Sequence, residues 1–558
     1  MGTNATTTKH ENDSSSGNFS LYDPEPNLNE VTANIYNEKP DLSWPSVKKY
    51  ILTRIPTLFD VPIRHESRRW WEILNPIPGL KEMNSLDWNF YGLGFFAWTV
   101  DALDFFCVGS AATYIAKTLD VSTTQITWGI TLVLMLRSVG AIIFGLMSDY
   151  YGRKYPYIII CLLFIGVEIG TGFVKTYTQF LGVRAIFGVL MGAMYPIASL
   201  TALEDQPNGA KSILSGLFLP GYNYGYLLAV VFFRAFETTK FFDNENEGWR
   251  NLFFFSAGLP VLLIIWRLFF PESPTFVKLK KAKALLEEKR IHKQELAGIK
   301  RKTGILSKFK IDHSLLVTIK TEWLMIIYLL FMMSAFNFIS HGSQDLYPTL
   351  LVNQHKVTPN QRTYILVIVN IGAMLGGVFF GQLTELLGRR LTICICMIWS
   401  GAFLYPSFFS KSISGIIGGY FFLNFGVMGA WGVAPLHLIE LVNTTHRSLL
   451  SGVMYQLGNL ASSASSTIES QLGSKYPLPE IGPKVYDYGL VMCIFCAAVF
   501  TFMLIMMLIG PERFHKDLNV HIHGNESITT VHELSDTNSL EKPQVIHSTR
   551  EPRDNENV

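Results

Sequence analysis

Twelve blocks of apolar residues recur along the middle of this chain, and they constrain its fold more than any other feature. They lie near 88–112, 124–147, 156–174, 178–201, 212–235, 250–270, 321–347, 362–384, 391–409, 413–438, 448–470 and 488–510. A helix of about 20 residues matches the hydrocarbon thickness of a bilayer. Inside lipid, every backbone N–H and C=O must be satisfied within a helix or a closed barrel. The blocks are too long and too evenly apolar for barrel strands, so they predict twelve transmembrane helices and an all-α integral membrane protein. Composition agrees, with only 16% of residues charged against about 25% in soluble domains. That excludes a soluble enzyme, a disulfide-stapled secreted domain and a mainly disordered chain. The 46 basic and 44 acidic residues nearly cancel, so no net charge points to nucleic acid.

The expected organisation is a disordered tail 1–87, six spans over 88–271, a basic linker 272–320, six spans over 321–512 and a disordered tail 513–558. Short-loop Lys and Arg set orientation. Gly152-Arg153-Lys154 after span 2, Gly388-Arg389-Arg390 after span 8, and the connection 275–320 with 13 Lys/Arg against 4 Asp/Glu all fall on one side. That side, with both termini, is expected to be cytoplasmic. Opposite loops such as 241–249, with Asp243 and Glu245, are poor in basic residues. Sequons at Asn4, Asn12, Asn18 and Asn525 then lie in cytoplasmic tails and are expected to be unused. A myristoylation-like start, Gly2 with Thr6, is read as chance, since a protein with many spans needs no lipid anchor. Trp70, Trp71 and Trp88 suit the membrane interface before span 1. Cys107, Cys161, Cys394, Cys396, Cys493 and Cys496 all lie inside apolar blocks, and no His or acidic residue stands at ligand spacing. They are expected to be buried thiols, with no metal site.

The two halves repeat. Gly145-x-x-x-Asp149-x-x-Gly152-Arg153-Lys154 recurs 236 residues later as Gly381-x-x-x-Glu385-x-x-Gly388-Arg389-Arg390. Glu204, Lys211, Ser212, Gly216 and Asn223 recur as Glu440, Arg447, Ser448, Gly452 and Asn459 at the same offset. Two six-helix bundles in one orientation follow. These loop motifs resemble the major facilitator superfamily, as do Arg184-x-x-x-Gly188-x-x-x-Gly192 in span 4, Trp249-Arg250 before span 6 and Pro271-Glu272-Ser273-Pro274 after it. The resemblance covers roughly 88–512 and implies a mid-membrane cavity between the bundles with rocking-type alternating access. Asp149, Arg153, Glu385 and Arg389 stand as gating candidates, each carboxylate pairing with an arginine across the seam. Positive-inside anchoring alone is the plainer alternative.

Charges deep in spans are costly and mark function or internal pairing. They are Asp101 and Asp104 in span 1, Arg137 in span 2, Glu168 in span 3, Arg184 in span 4, and His341 and Asp345 in span 7. Arg137 offers a fork for a carboxylate, whether from substrate or from Asp101 or Asp104. Span 7 carries Asn337, His341 and Asp345 at i, i+4, i+8, with Ser340 and Gln344 beside them. On a helix that is one polar stripe, which must face a cavity or another helix. His341 can take a proton near neutral pH and Asp345 can stabilise the cation. A hydrogen-bond network holding the bundle is the structural alternative.

Asn337-x-x-Ser340-His341-x-Ser343-Gln344-Asp345-x-x-x-Thr349 also resembles the signature of the fungal Jen carboxylate/proton symporters, with every position filled. The resemblance implies plasma-membrane uptake of short-chain carboxylates, such as lactate and pyruvate or succinate and malate, with a proton and no other cofactor. It implies roles for Asn337, His341, Gln344 and Asp345 in substrate and proton handling. It adds Gln456 and Asn459 in span 11 as substrate contacts, and Arg137 as the matching span 2 arginine. Asp101 and Asp104 remain the rival proton site. A single central cation tips the expectation toward monocarboxylates. The Ser/Thr and Lys residues of the tails suit phosphorylation and the ubiquitin and endocytic machinery, which the resemblance also suggests. A sugar porter shares Pro271-Glu272-Ser273-Pro274 but usually carries paired glutamines where this chain has His341 and Asp345. A nutrient sensor usually needs longer tails. No nucleotide loop, metal cluster or nucleophile elbow supports an enzyme.

Overall fold

The computed structural model describes residues 42–61, 69–121, 123–236, 239, 247–281, 284–285, 313–442, 446–473, 475–478 and 486–513. Three short helices come first: α1 (Trp44–Leu58), α2 (Trp70–Leu74) and α3 (Ile77–Glu82). Spans 1 to 4 are α4 (Ser85–Thr118), α5 (Thr123–Tyr151), α6 (Lys154–Gly172) and α7 (Tyr177–Leu203). Span 5 is α8 (Asn208–Phe218) followed by α9 (Pro220–Phe236), and span 6 is α10 (Gly248–Leu268). Span 7 is α11 (His313–Gln344) with α12 (Tyr347–Asn353), and span 8 is α13 (Pro359–Leu387). Span 9 is α14 (Arg389–Ala402) with α15 (Leu404–Phe409), and span 10 is α16 (Ile413–Leu441). Span 11 is α17 (Arg447–Ser462) with α18 (Ser465–Gly473), and span 12 is α19 (Tyr488–Ile509).

Among the described residues, eleven segments are long and apolar enough to cross a bilayer. The exception is span 11. Its helix breaks after Ser462, and Gln456, Asn459, Ser462 and Ser465 face inward. Its polarity belongs to the inter-bundle seam, which lipid does not touch. Outward-facing positions such as Ile186, Leu262, Leu375, Ile398 and Ile494 are exposed and apolar, as a lipid-facing surface requires.

Local sequence explains where spans start. Asn84 accepts from the Leu86 and Asp87 amides while Asp87 accepts from the Asn84 amide, a capping box that opens span 1. Thr358 and Gln361 do the same for span 8, with Pro359 in its first turn. The turns from span 2 to 3 and from span 8 to 9 pass through Gly152 (φ +99°) and Gly388 (φ +79°), conformations that favour glycine. Glu272 then accepts from the Arg153 and Lys154 amides at the start of span 3, at 3.0 Å each. Glu512 accepts from the Arg389 and Arg390 amides at the start of span 9, at 3.3 and 3.0 Å. Pro511-Glu512 is therefore the structural copy of Pro271-Glu272, displaced by four residues from the 236-residue offset.

Packing repeats with the sequence. Span 2 packs on span 4, 1 on 5 and 3 on 6, as 8 packs on 10, 7 on 11 and 9 on 12. Across the seam, span 2 meets span 11 and span 5 meets span 8.

Two expected boundaries need correction. Residues 44–58, 70–74 and 77–82 of the N-terminal tail are helical and docked. Tyr50 donates to the Ile509 carbonyl at 2.9 Å, Arg390 reaches Thr57 and the Arg54 carbonyl, and Gln382 donates to the Ile73 carbonyl. The polar first 40 residues dominated the sequence average and hid the apolar Trp44, Tyr50, Ile51, Leu52 and Ile55. Likewise span 7 begins at His313, eight residues inside the expected linker, with a kink at Glu322. Residues 1–41, 286–312 and 514–558, and with them the four sequons, lie outside the described residues.

Candidate functional site

The site is built where spans 2, 7 and 11 converge. Gly188 and Gly192 let span 4 lie directly on the backbone of span 2 at Val133 and Arg137. That contact fixes Arg137 mid-membrane, 2% exposed. Neither Nε nor Nη2 of Arg137 has a hydrogen-bond partner. Among the described residues, no carboxylate makes an ion pair with Arg137; Asp101 is a titratable neighbour, and its own two oxygens are unpartnered. The guanidinium is 5.9 Å from the Tyr455 ring centroid. The Tyr455 side chain lies beside both Arg137 and Asn459. Asn459 in turn neighbours His341. His341 Nδ1 lies 3.1 Å from Asp345 Oδ2, closing a chain from span 2 through span 11 to span 7.

The pair on span 7 is the accessible end of this chain, with side chains 26% and 38% exposed for His341 and Asp345. Span 7 breaks just beyond, between Gln344 and Tyr347, with Pro348 in the first turn of α12. Asp345 thus stands at a helix end, as in the discontinuous helices of many transporters. Aromatic rings form the opposite wall. Tyr195 stacks on Tyr455 at 3.9 Å, and Trp98 stacks on Tyr222 at 5.1 Å.

The remaining expected contacts separate into two groups. Gln344 donates to Asn424 of span 10 at 3.0 Å and stays half-buried beside the pair. Ser340 bonds to the Asn337 carbonyl of its own helix. Asn337 is buried between spans 7 and 11, donating to the Met333 carbonyl and touching Gly458. Gln456 is fully buried and donates across the seam to the Gly192 carbonyl at 3.3 Å. Gln456 therefore ties span 11 to span 4 in this structure, while Asn337 bonds within its own helix at the contact with span 11.

Asp101 and Asp104 share a face of span 1 but have different surroundings. Asp104 adjoins Glu168, Arg184 and Ser256. Arg184 donates to Thr171 at 2.7 Å and to Glu168 at 3.4 Å. Glu168 takes the Arg184 guanidinium, while both Asp104 oxygens are unpartnered.

On the basic-loop face the bundles interlock. Arg153 forks onto Glu204 through Nε and Nη2, both at 3.2 Å, and Arg389 forks onto Glu440 at 3.1 and 3.0 Å. Both forks stay within their own bundle, which corrects the expected cross-seam carboxylate–arginine pairs. Asp149 lies only 3.7 Å from Arg153, and Glu385 3.9 Å from Arg389, along their own loops. What Asp149 meets across the seam is a helix end: it accepts from the Ser448 and Leu449 amides at 3.0 and 2.9 Å. Those orphan donors at the start of α17 suit a carboxylate better than an arginine already committed to Glu204. Glu385 makes the matching contact with Ser212. Arg447 adds a cross-seam ion pair with Glu204 at 2.9 Å. Gly145 and Gly381 allow the approach, sitting against the backbones of Leu449 and Gly216.

Sequence reasoning missed Tyr455 as a link, Asn424 as the partner of Gln344, and Glu469. Tyr455 and Asn424 carried no signal beyond polarity in an apolar block. Glu469 lies on α18, the second helix of span 11, and the apolar pattern did not mark it.

The model of the "Sugar (and other) transporter" family matches residues 85–518. The chain is 41% identical over 497 residues to the carboxylic acid transporter protein homolog of Saccharomyces cerevisiae, covering 86% of this chain and 76% of the yeast protein. It is 27% identical to the sialic acid transporter NanX of Escherichia coli, over 80% of this chain and 98% of NanX. Among solved structures it is similar to the proton:xylose symporter XylE (TM-score 0.59, 16% identity, 77% of this chain and 96% of that one). It also resembles the human organic anion transporter MFSD10 (TM-score 0.54, 12% identity, 76% and 100%). The relatives are transporters and not enzymes. The chain therefore belongs to the sugar (and other) transporter family and has the all-α major facilitator fold.

Proposed function

We propose that this protein imports short-chain carboxylates with protons across the plasma membrane, with lactate and pyruvate as the favoured class. The observation that carries the reading is the buried guanidinium of Arg137, which has unpartnered nitrogens and no ion pair among the described residues. A permanent cation held this way is costly unless an anion arrives to pair with it. The identity to the yeast carboxylic acid transporter homolog supports a carboxylate as that anion. The single central cation favours one carboxylate group over two.

With the basic-loop face toward the cytoplasm, the interlocked seam closes the inner side, and His341 with Asp345 is open to the outside. A proton enters on that pair. The substrate carboxylate docks on Arg137, with Tyr455 and Asn459 joining the two ligands, and Gln344 lining the approach. Filling both positions removes the unpaired charge and favours occlusion. Separation of Asp149 from α17 and of Glu204 from Arg447 then opens the inner side. Asp101, beside Arg137, and Asp104, beside Glu168, are the alternative proton carriers. Both termini face the cytoplasm in this orientation, within reach of the ubiquitin and endocytic machinery.

The test is uptake of labelled lactate and, separately, succinate into vesicles holding the purified protein, with and without an inward proton gradient. Concentrative uptake of lactate only with the gradient is the expected result. Preference for succinate transfers the function to dicarboxylates. Uptake that never exceeds equilibrium contradicts symport.

A further inference from the structure

The C-terminal bundle holds a carboxyl that the mechanism above does not use. Glu469, on α18, has no exposed surface, and neither carboxyl oxygen has a hydrogen-bond partner. Its location is specific. Oε1 sits 3.3 Å from where a Cβ on Gly342 would lie, beside the Phe495 ring of span 12, which comes closer still, so the carboxyl packs against span 7 where it has no side chain. Gly342 follows His341 directly, and Asp345 lies one turn further along the same face at i+3. The titratable groups around Glu469 are Asp345 on span 7, Tyr420 on span 10 and Cys496 on span 12. Among the described residues, no cation pairs with it.

An ionised carboxylate buried without a partner is strongly disfavoured, as any unpaired ion in a protein interior is. Glu469 is therefore accommodated here as the uncharged acid, one proton held behind the accessible His341–Asp345 pair. Ionisable groups in such positions line proton paths in transporters.

We propose that Glu469 is a second proton site, exchanging its proton with Asp345. The O–H bond of the Glu469 acid breaks as one forms on the Asp345 carboxylate, leaving the summed charge of the two groups unchanged. Proton occupancy of the accessible pair, and through it the docking of an anion at Arg137, then depends on Glu469. This inference rests on the proton-symport reading.

The experiment compares wild type, E469Q and E469D in the same vesicles by two readouts. One is exchange of labelled for unlabelled lactate at equal concentration and equal pH, which moves no net proton. The other is accumulation driven by an inward proton gradient. For E469Q, exchange within about threefold of wild type with accumulation at least about tenfold lower is expected, and E469D restores accumulation because it restores an acid. E469Q that accumulates lactate like wild type overturns the proposal. So does loss of exchange and accumulation together, which marks a packing role against Gly342. Failure of the symport reading itself looks different, because wild type then shows no gradient-driven accumulation.

Discussion

Asp149→Asn tests what the seam contributes. Asp149 is 8% exposed and accepts from two amides at the start of α17, at 3.0 and 2.9 Å. Hydrogen bonds to charged groups are each worth about 1.5–3 kcal/mol. Asparagine keeps one acceptor oxygen, turns an NH2 donor toward the second amide, and removes the charge that favours a helix N-terminus by about 0.3–1 kcal/mol. A net loss of about 2 kcal/mol follows, or roughly a 30-fold shift away from the closed seam at about 1.4 kcal/mol per factor of ten. The closed and open populations can be read by spin labels on the ends of spans 2 and 11, with pulsed dipolar distances measured in nanodiscs. D149N should raise the long-distance fraction by about that ratio, change the transport rate, and leave surface expression near wild type. An unchanged distance distribution, or equal loss of expression and transport, refutes the reasoning. Glu385→Gln, at the pseudo-symmetric position, should shift the same equilibrium in the same direction.

Three further outcomes follow from the geometry. Tyr455→Phe removes the hydroxyl between Arg137 and Asn459 and should weaken lactate binding by about 1 kcal/mol, with the stack on Tyr195 and the thermal melting temperature preserved. Glu204, just past span 4, is pushed up by burial, but Arg153 and Arg447 outweigh that and hold it below the usual carboxylate range. A carboxyl depressed in this way keeps its contribution above its free value and loses it only as pH falls through the lowered one, so E204Q should open the seam equally at about pH 5.5 and about pH 7.5. An effect confined to the higher pH contradicts this sign. Arg390→Gln frees Thr57 and the Arg54 carbonyl and should make the α1 segment cleavable by added protease, while wild type resists.

Much of this fold was legible because a bilayer imposes period and length on sequence. Eleven spans stand within a few residues of the apolar blocks, and the 236-residue offset foretold which helices would pack alike. Span 11 shows where that legibility stops: the block 448–470 reads as one span, but its helix breaks after Ser462, and its inward serines, Gln456 and Asn459 line the seam. The site was half legible. Charges stand out against an apolar background, which exposed Arg137, His341 and Asp345. Sequence does not reveal which partner each charge faces. Asp101 and Asp104 sit three residues apart yet belong to different clusters. Arg153 prefers Glu204, 51 residues away, to Asp149, four residues away, because only Glu204 presents both oxygens to the fork. Asn337 and Gln456, read as substrate contacts, donate to backbone carbonyls in this state.

The central claim, that a carboxylate is received by Arg137, is tested most directly by calorimetric titration of lactate into detergent-purified wild type and R137Q at about pH 5.5. Removing one partner of a buried charge pair costs about 2–5 kcal/mol, so R137Q should bind at least about 30-fold more weakly while melting at the wild-type temperature. Binding by a folded R137Q within about threefold of wild type contradicts the account, since about 0.7 kcal/mol is too little for a buried ion pair.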